Sequence, residues 1–164
     1  MNRVIQVGVL LIFFVSSALP PPQQKVTRVV VLKKEHKMQL LSGETAVKTY
    51  TVALGRGGLS PKQREGDHLT PEGLYQIDHR NKNSRFYRAL HVSYPNEADR
   101  ERARKLGVNP GGDIMIHGIT NGLGWLGSMH RMMDWTNGCI AVTDTEMDEI
   151  WSLVPDGTPV EIRP

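Results

Sequence analysis

The amino-acid sequence predicts a mostly β domain with two short helices, arranged as a β-sandwich or a mixed sheet. Three observations lead to this class. Short segments rich in β-branched residues recur along the chain and are separated by glycine, proline and polar turns. Only two segments carry clear helix-start signals. The 164 residues, of which 39% are hydrophobic, are enough for a single domain with its own core.

Seven segments have the composition of strands, and a long glycine-rich loop follows the third of them. Residues 47–54 alternate between two faces, as a half-buried strand does. The loop at 55–68 has no Walker pattern and no helix start after it, so it is not predicted to cradle phosphate. The predicted strands cover residues 26–32, 38–41, 47–54, 73–77, 89–94, 113–117 and 160–162.

Two segments carry the signals of short helices. Asn96 is a suitable N-cap for a helix that runs to Leu106, and Gly107 would end that helix. Thr143 and Glu146 have the spacing of a capping box, which predicts the start of the second helix. The core-facing side of this second helix is expected to hold Met147, Ile150, Trp151 and Val154.

The first 18 residues have the layout of a secretory signal peptide. Arg3 supplies a positive start, residues 4–15 are almost wholly apolar, and small residues follow at 16–18. Residues 19–24 then read as a linker, and the domain is expected to cover residues 25–164. We therefore expect an exported protein of the periplasm or cell envelope, with an uncleaved membrane anchor as the alternative.

The charge of the chain is mildly basic, with a formal net value of +3 at pH 7. No concentrated run of Lys and Arg is present, so nucleic acid is not an expected partner. The balance suits a protein that works near an anionic polymer, although a solvated basic surface explains it equally well.

Cys139 is the only cysteine of the chain, and it is the candidate nucleophile. A free thiol in an oxidising compartment is a liability unless it does chemistry. His117 ends an apolar strand and is the candidate base, because an imidazole can lower the pKa of a thiol and then protonate the leaving group. The Gly118 carbonyl could orient the imidazole. Gly138 permits a sharp turn that exposes the sulfur and directs backbone amides at an oxyanion.

The sequence also allows two other interpretations of Cys139. It could be an inert core thiol beside Ile140, since free cysteine is among the most buried residue types. It could also bind zinc together with His117 and His130, although these residues lack the spacing of a zinc motif. The glycine- and methionine-rich segment 119–134 between the histidine and the cysteine is predicted to be a mobile flap or a long insertion.

Several ordered motifs resemble the L,D-transpeptidases, the YkuD-type cysteine enzymes of bacterial cell walls. Residues 116–118 (Ile-His-Gly) and 138–140 (Gly-Cys-Ile) are similar to the signature of that family. Residues 70–73 (Thr-Pro-Glu-Gly) and 157–160 (Gly-Thr-Pro-Val) are similar to its upstream segment and its last strand. The resemblance extends from Val26 to Ile162, so a YkuD-like fold is expected.

The resemblance implies a reaction and a set of roles. Cys139 would attack the carbonyl between an L-centre and a D-residue of a peptidoglycan stem peptide and form a thioester, which an amine from another stem would resolve. His117 would be the base and acid and the Gly118 carbonyl its orienter, while amides near Gly138 would hold the oxyanion. No metal or cofactor is needed for this chemistry. The residues expected to contact substrate are Tyr94, Asp134, Trp135, Thr136 and Asn137.

The sequence departs from the commonest family pattern at three positions near the cysteine. Thr136 and Asn137 stand where many members have Ser and His, and Ala141 where many have Arg or Asn. The Asp-Trp-Thr-x-Gly-Cys-Ile-Ala motif over residues 134–141 resembles a distinct branch of the family. These departures leave two alternatives to a transpeptidase. One is an L,D-carboxypeptidase or a hydrolase of a wall-peptide link, and the other is a catalytically idle wall-binding module.

Overall fold

Eight strands form one mixed sheet in the computed structural model, which describes residues 25–164. The predicted signal peptide, residues 1–18, and its linker to residue 24 lie outside the described residues. The strands are β1 (Arg28–Leu32), β2 (Lys37–Ser42), β3 (Thr45–Thr51), β4 (Gly73–Ser84), β5 (Tyr87–Val92), β6 (Met115–His117), β7 (Ile140–Ala141) and β8 (Pro159–Arg163). The helices are α1 (Glu97–Leu106), α2 (Asp144–Leu153) and a 3-10 segment (Gly124–Met132).

The strands lie in the order β3-β2-β1-β8-β4-β5-β6-β7. The β1–β8 and β6–β7 pairs are parallel, and the other neighbouring pairs are antiparallel. β4 joins the two halves of the sheet, because residues 73–76 pair with β8 and the residues from Ile77 onward pair with β5. The chain therefore reaches β6, which carries His117, through the long β4–β5 hairpin.

A backbone bridge links the two outer strands of this order. Ala53, just after β3, exchanges both backbone hydrogen bonds with Ala141 of β7, at 3.0 and 2.9 Å. Gly55 bridges to Thr136 two residues further on. These contacts hold the approach to Cys139 against residues 53–56.

Apolar side chains from both halves of the sheet and from α2 form one core. Strand β1 contributes Val29 and Val31 to it, and α2, which packs against β5, contributes Met147 and Ile150. Burying one such side chain contributes about 1.5–3 kcal/mol relative to leaving it exposed. No helix within residues 25–164 combines the length and the apolarity that crossing a bilayer requires.

The mostly β, mixed-sheet class predicted from the sequence is confirmed. Both predicted α-helices are present with their predicted caps: Asn96 Oδ1 accepts the Asp99 N–H, Thr143 Oγ1 accepts the Glu146 N–H, and Gly107 has a left-handed φ of 65°. Three features were not predicted. The 3-10 segment adds a third helix, and the short strand β7 adds an eighth strand. β4 continues over residues 78–84 and β5 begins at Tyr87, although residues 78–84 are polar and lack the apolar alternation of a half-buried strand.

Candidate active site

His117 lies at the end of β6, and its orientation is held by its neighbour in the chain. The ring is buried, and its Nδ1 lies 2.6 Å from the Gly118 carbonyl oxygen. A carbonyl can only accept, so Nδ1 carries the proton of the neutral ring and Nε2 is left as the basic atom. The Phe86 ring stacks on the imidazole at 4.5 Å. The contact between Gly118 and His117 that the sequence predicted is therefore present.

Asp144, the first residue of α2, holds the chain in place just after the histidine. Its Oδ1 accepts the Ile119 N–H at 2.8 Å. A Cβ added to Gly118 would lie 2.6 Å from the same oxygen, so a side chain at that position would displace the Asp144 carboxylate. The Gly118 N–H bonds to the Phe86 carbonyl at 3.1 Å. Sequence reasoning missed Asp144, because only the fold brings α2 to this turn.

Thr136 and Gly138 shape the turn that presents Cys139. Thr136 Oγ1 donates to the Cys139 carbonyl at 2.8 Å and accepts the Gly138 N–H at 3.1 Å. Gly138 has a φ of +122°, and an added Cβ would lie 2.7 Å from the Leu69 carbonyl oxygen. Glycine suits this position because it adopts a positive φ readily and has no Cβ to clash with the Leu69 carbonyl.

The hydrogen bond to Thr136 corrects the prediction that the Gly138 amide would hold an oxyanion. That amide is already engaged, and an engaged donor cannot stabilise developing charge without first breaking its bond. The Cys139 amide has no acceptor within residues 25–164. Of the two amides that the sequence suggested, the Cys139 amide is thus the one still available.

Cys139 and His117 line the same cavity, which has a volume of about 760 Å³. Cys139 is half-buried, and its Sγ lies 3.5 Å from the Asp113 carbonyl oxygen. Among the described residues, no hydrogen bond joins the thiol to the imidazole. The cavity is lined by Arg56, Arg85, Phe86, Gly112, Asp113, Met115, His117, Trp135, Thr136, Asn137 and Cys139.

The thiol and the imidazole are both neutral at pH 7. Burial lowers the pKa of His117 to about 4, although its bond to Gly118 acts in the opposite direction. Burial also raises the pKa of Cys139 to about 11, and a backbone hydrogen bond at Met115 offsets only part of this effect. The expectation that a neighbouring group lowers the thiol pKa is wrong for the free protein, because the loss of hydration dominates.

Two arginines add positive charge to the cavity. Arg56 lies on the loop after β3, and Arg85 lies at the tip of the β4–β5 hairpin. Neither guanidinium forms an ion pair with any residue between 25 and 164. Sequence reasoning missed both, since arginines are common and nothing in their spacing connects them to His117 or Cys139.

Three of the five predicted substrate contacts line the cavity, and two do not. Trp135, Thr136 and Asn137 are part of its wall. Both carboxylate oxygens of Asp134 instead contact other parts of the protein: Oδ1 accepts the Leu54 N–H at 2.7 Å, and Oδ2 lies 3.0 Å from His36 Nε2.

Tyr94 also lies outside the cavity wall and serves the fold. Its ring is buried against Tyr75, at a centroid distance of 6.0 Å. Its hydroxyl donates to the Pro110 carbonyl at 2.9 Å. The assignment of Tyr94 and Asp134 as substrate contacts is therefore not supported, because the polar atoms of both have partners within the protein.

The zinc interpretation is not supported within the part of the chain that the structure describes. The ligand atoms of His117, His130 and Cys139 do not converge on one point. The Trp135 ring packs against both histidines, at centroid distances of 5.7 Å to His117 and 6.2 Å to His130. Trp135 Nε1 donates to His130 Nδ1 at 3.3 Å. His130 Nε2 in turn lies 3.4 Å from Arg131 Nε, so both ring nitrogens of His130 have partners other than the thiol.

The segment 119–134, predicted as a flap or insertion, forms the 3-10 segment beside the cavity. It bends at Gly127, which has a φ of 49°. Several of its apolar side chains are exposed, with Trp125 at 73% and Met132 at 83%. Together with Trp135 the segment lines a second, apolar cavity of about 440 Å³. Its mobility remains a prediction.

Comparison with known proteins gives matches over most of the described residues. Residues 26–162 match the family model of the YkuD L,D-transpeptidase catalytic domain. A relative from Escherichia coli K12, named "Putative L,D-transpeptidase YafK", is 32% identical over 133 residues, which cover 77% of this chain and 46% of the relative. The chain thus spans about half the length of the curated relatives it matches.

Solved structures of other bacterial proteins have the same fold. The helical cell shape determining protein Pgp2 of Campylobacter jejuni has a TM-score of 0.65 at 23% identity, covering 84% of this chain and 47% of Pgp2. The L,D-transpeptidase of Xylanimonas cellulosilytica, residues 123–326, has a TM-score of 0.58 at 16% identity, covering 87% of this chain and 63% of that one. At these identities the likeness concerns the fold.

Proposed function

This chain belongs to the YkuD family of L,D-transpeptidase catalytic domains, and from that premise we propose that it is an exported cysteine acyltransferase that acts on peptidoglycan stem peptides. One observation carries the proposal: the only thiol of the chain and a carbonyl-oriented imidazole line the same cavity. Such a pair can form and resolve a thioester without metal or cofactor.

The first half of the reaction is acylation of Cys139. His117 Nε2 takes the thiol proton while Sγ attacks the carbonyl carbon of the L–D peptide bond, so the ion pair forms during the attack and is not present beforehand. The Cys139 amide stabilises the oxyanion. The C–N bond then breaks, the imidazolium gives its proton to the departing amine, and a D-residue leaves.

The second half resolves the thioester. An acceptor amine gives a proton to His117 and attacks the thioester carbonyl, and the C–S bond breaks as the thiolate recovers that proton. With an amine as acceptor the outcome is a new peptide bond, as in a transpeptidase. With water in its place the outcome is hydrolysis, as in a carboxypeptidase or a wall-link hydrolase.

Arg56 and Arg85 fit a substrate that carries carboxylates. A stem peptide ends in a carboxylate, and guanidinium groups bind carboxylates through paired hydrogen bonds. Because neither arginine has an acidic partner in residues 25–164, both are available to such a ligand. We assign them to binding of the acyl donor.

Export of the protein is part of the proposal. Its support is the sequence of residues 1–18 and the location of the substrate, because peptidoglycan lies outside the cytoplasmic membrane. We expect the protein to be recovered from a periplasmic fraction, with a mass that corresponds to the loss of about 18 N-terminal residues.

Intact-mass spectrometry of the full chain after incubation with a carbapenem tests the proposal. A β-lactam imitates the acyl donor, so the wild-type protein should gain the mass of one carbapenem and Cys139→Ala should gain none. His117→Gln should acylate at least about a hundredfold more slowly. His36→Gln, which removes an imidazole outside the cavity, is the matched control and should behave like wild type.

A stem tetrapeptide with a labelled acceptor amine then separates the remaining alternatives. A new peptide bond supports transpeptidation, whereas release of D-alanine with water as the only acceptor supports hydrolysis. Sacculus binding without any turnover, equal in wild type and Cys139→Ala, would overturn the enzymatic proposal and leave the idle wall-binding module.

A further inference from the structure

Asp78, His79 and His91 form a cluster on the β4–β5 hairpin, away from the wall of the catalytic cavity. His91 Nδ1 lies 2.6 Å and His79 Nδ1 3.3 Å from the same atom, Asp78 Oδ1. The two imidazoles stack at a centroid distance of 4.5 Å. One potential ligand atom from each residue lies within 4.8 Å of the others. Two ring nitrogens and a carboxylate oxygen thus converge on one small region.

A β-bulge in β4 produces this convergence. In a regular strand, Asp78 and His79 would point to opposite faces of the sheet. Here Ile77 pairs with Val92 while His79 pairs with His91, so Asp78 is an extra residue without a partner on β5. The bulge re-aims the Asp78 side chain toward the two histidines. Asp78 and His79, although adjacent in the chain, therefore both lie beside His91.

We propose that Asp78, His79 and His91 bind a divalent transition-metal ion of the kind that prefers imidazole, with Zn²⁺ as its representative. Zinc bonds of about 2.0–2.1 Å in a tetrahedral site put ligand atoms about 3.3 Å apart. The His79–Asp78 distance already has this value, and the His91–Asp78 pair must open by about 0.7 Å to reach it. Three ligands leave the fourth position to water or to a substrate group.

The exposure of the cluster suits an ion that enters from solvent. The side chains of Asp78 and His79 are 36% and 58% exposed, whereas that of His91 is only 14% exposed. Two exposed ligands therefore lie beside one that is largely buried. Imidazole nitrogen with carboxylate oxygen is a donor set that suits Zn²⁺, Ni²⁺ and Cu²⁺ and is less suited to Mg²⁺.

Asp113 connects this site to the catalytic cavity. His91 Nε2 lies 4.0 Å from Asp113 Oδ1, so when Nδ1 binds a metal, Nε2 keeps its proton and faces a carboxylate. Metal-binding histidines usually have such an acceptor on their second nitrogen. The backbone carbonyl of the same Asp113 lies 3.5 Å from the Cys139 thiol. Asp113 thus lies between the proposed ion site and the resting thiol.

Isothermal titration of the full chain with ZnCl₂ tests the site, in a Cys139→Ala background so that the catalytic thiol cannot bind the ion. The expected result is about one Zn²⁺ per chain. His79→Ala should weaken binding about a hundredfold or more, and Asp113→Asn by about tenfold. His36→Ala is the matched control, because it removes one imidazole that has one carboxylate neighbour and should leave binding unchanged.

His79 is largely exposed, so His79→Ala is expected to fold, and circular dichroism of each variant verifies this. Absence of binding up to millimolar Zn²⁺ in the parent would overturn the proposal. Equal binding by the parent and the folded His79→Ala variant would also overturn it. Neither result bears on the acyl-transfer proposal, since the parent protein in these titrations lacks the Cys139 nucleophile.

Discussion

The Gly118 carbonyl oxygen lies 2.6 Å from His117 Nδ1, which assigns the proton of the buried imidazole to Nδ1 and leaves Nε2 as the base. A backbone carbonyl does here what a buried carboxylate does in a serine-protease triad, but it carries no full negative charge. The imidazolium is consequently stabilised less, and burial keeps the pKa of His117 near 4.

Alkylation of Cys139 by iodoacetamide should depend steeply on pH. The thiol pKa is raised to about 11, so the thiolate fraction grows tenfold per pH unit between about pH 7 and 10, and the rate should follow it. The chain has a single cysteine, so mass spectrometry reports this one site. A rate that is already constant from about pH 6 to 9 would instead indicate a preformed thiolate–imidazolium pair.

Thr136→Val should slow acylation by a carbapenem about tenfold to a hundredfold. Valine has a similar shape but cannot donate to the Cys139 carbonyl or accept the Gly138 amide, so the turn that presents the sulfur loses both bonds. Thr136→Ser keeps the hydroxyl and should retain most of the rate. Equal rates for the Val and Ser variants would show that the hydroxyl does not position Cys139.

Arg85→Gln and Arg56→Gln should each raise the KM for a stem-peptide donor about tenfold or more, since each removes a charged hydrogen-bond donor from the cavity. The kcat should change less. A donor whose terminal carboxylate is converted to an amide supplies the control, because wild type and variants should then differ little. An unchanged KM for the free-acid donor in both variants would argue against carboxylate binding here.

Asp67→Asn should lower the free energy of unfolding at pH 7 by about 2 kcal/mol. Although burial alone would raise the pKa of Asp67, bonds from Lys62 and from backbone amides lower it to about 2. A depressed carboxyl pKa stabilises the fold above its unfolded value near 3.8, and this stabilisation is lost as the pH falls toward 2.

Urea unfolding at several pH values checks this prediction. The difference between wild type and Asp67→Asn should shrink steadily between pH 5 and pH 2, in line with the pKa of about 2. Glu35→Gln, which removes an exposed ion pair with Lys37, should cost less than about 0.5 kcal/mol. A difference that stays constant with pH would point to a packing effect and not to the carboxylate.

Local patterns allowed much of the fold to be predicted. The capping boxes at Asn96 and Thr143 act within a few residues, and the β-branched run of β1 needs only its own composition to favour a strand. The extension of β4 over residues 78–84 was missed because these residues are all polar, so their strand conformation depends on pairing between β4 and β5 and not on alternation.

The sequence by itself determined the candidate nucleophile, its base, and the contact between Gly118 and His117, because adjacency in the chain makes that contact local. Tertiary structure decided everything that depends on residues far apart in the chain. It sets both pKa values through burial and engages the Gly138 amide with Thr136. It also brings two arginines into the cavity and, through one bulge, turns Asp78 toward His91. Hydration, pairing register and through-space charge arise only when the chain is folded, and no local pattern encodes them.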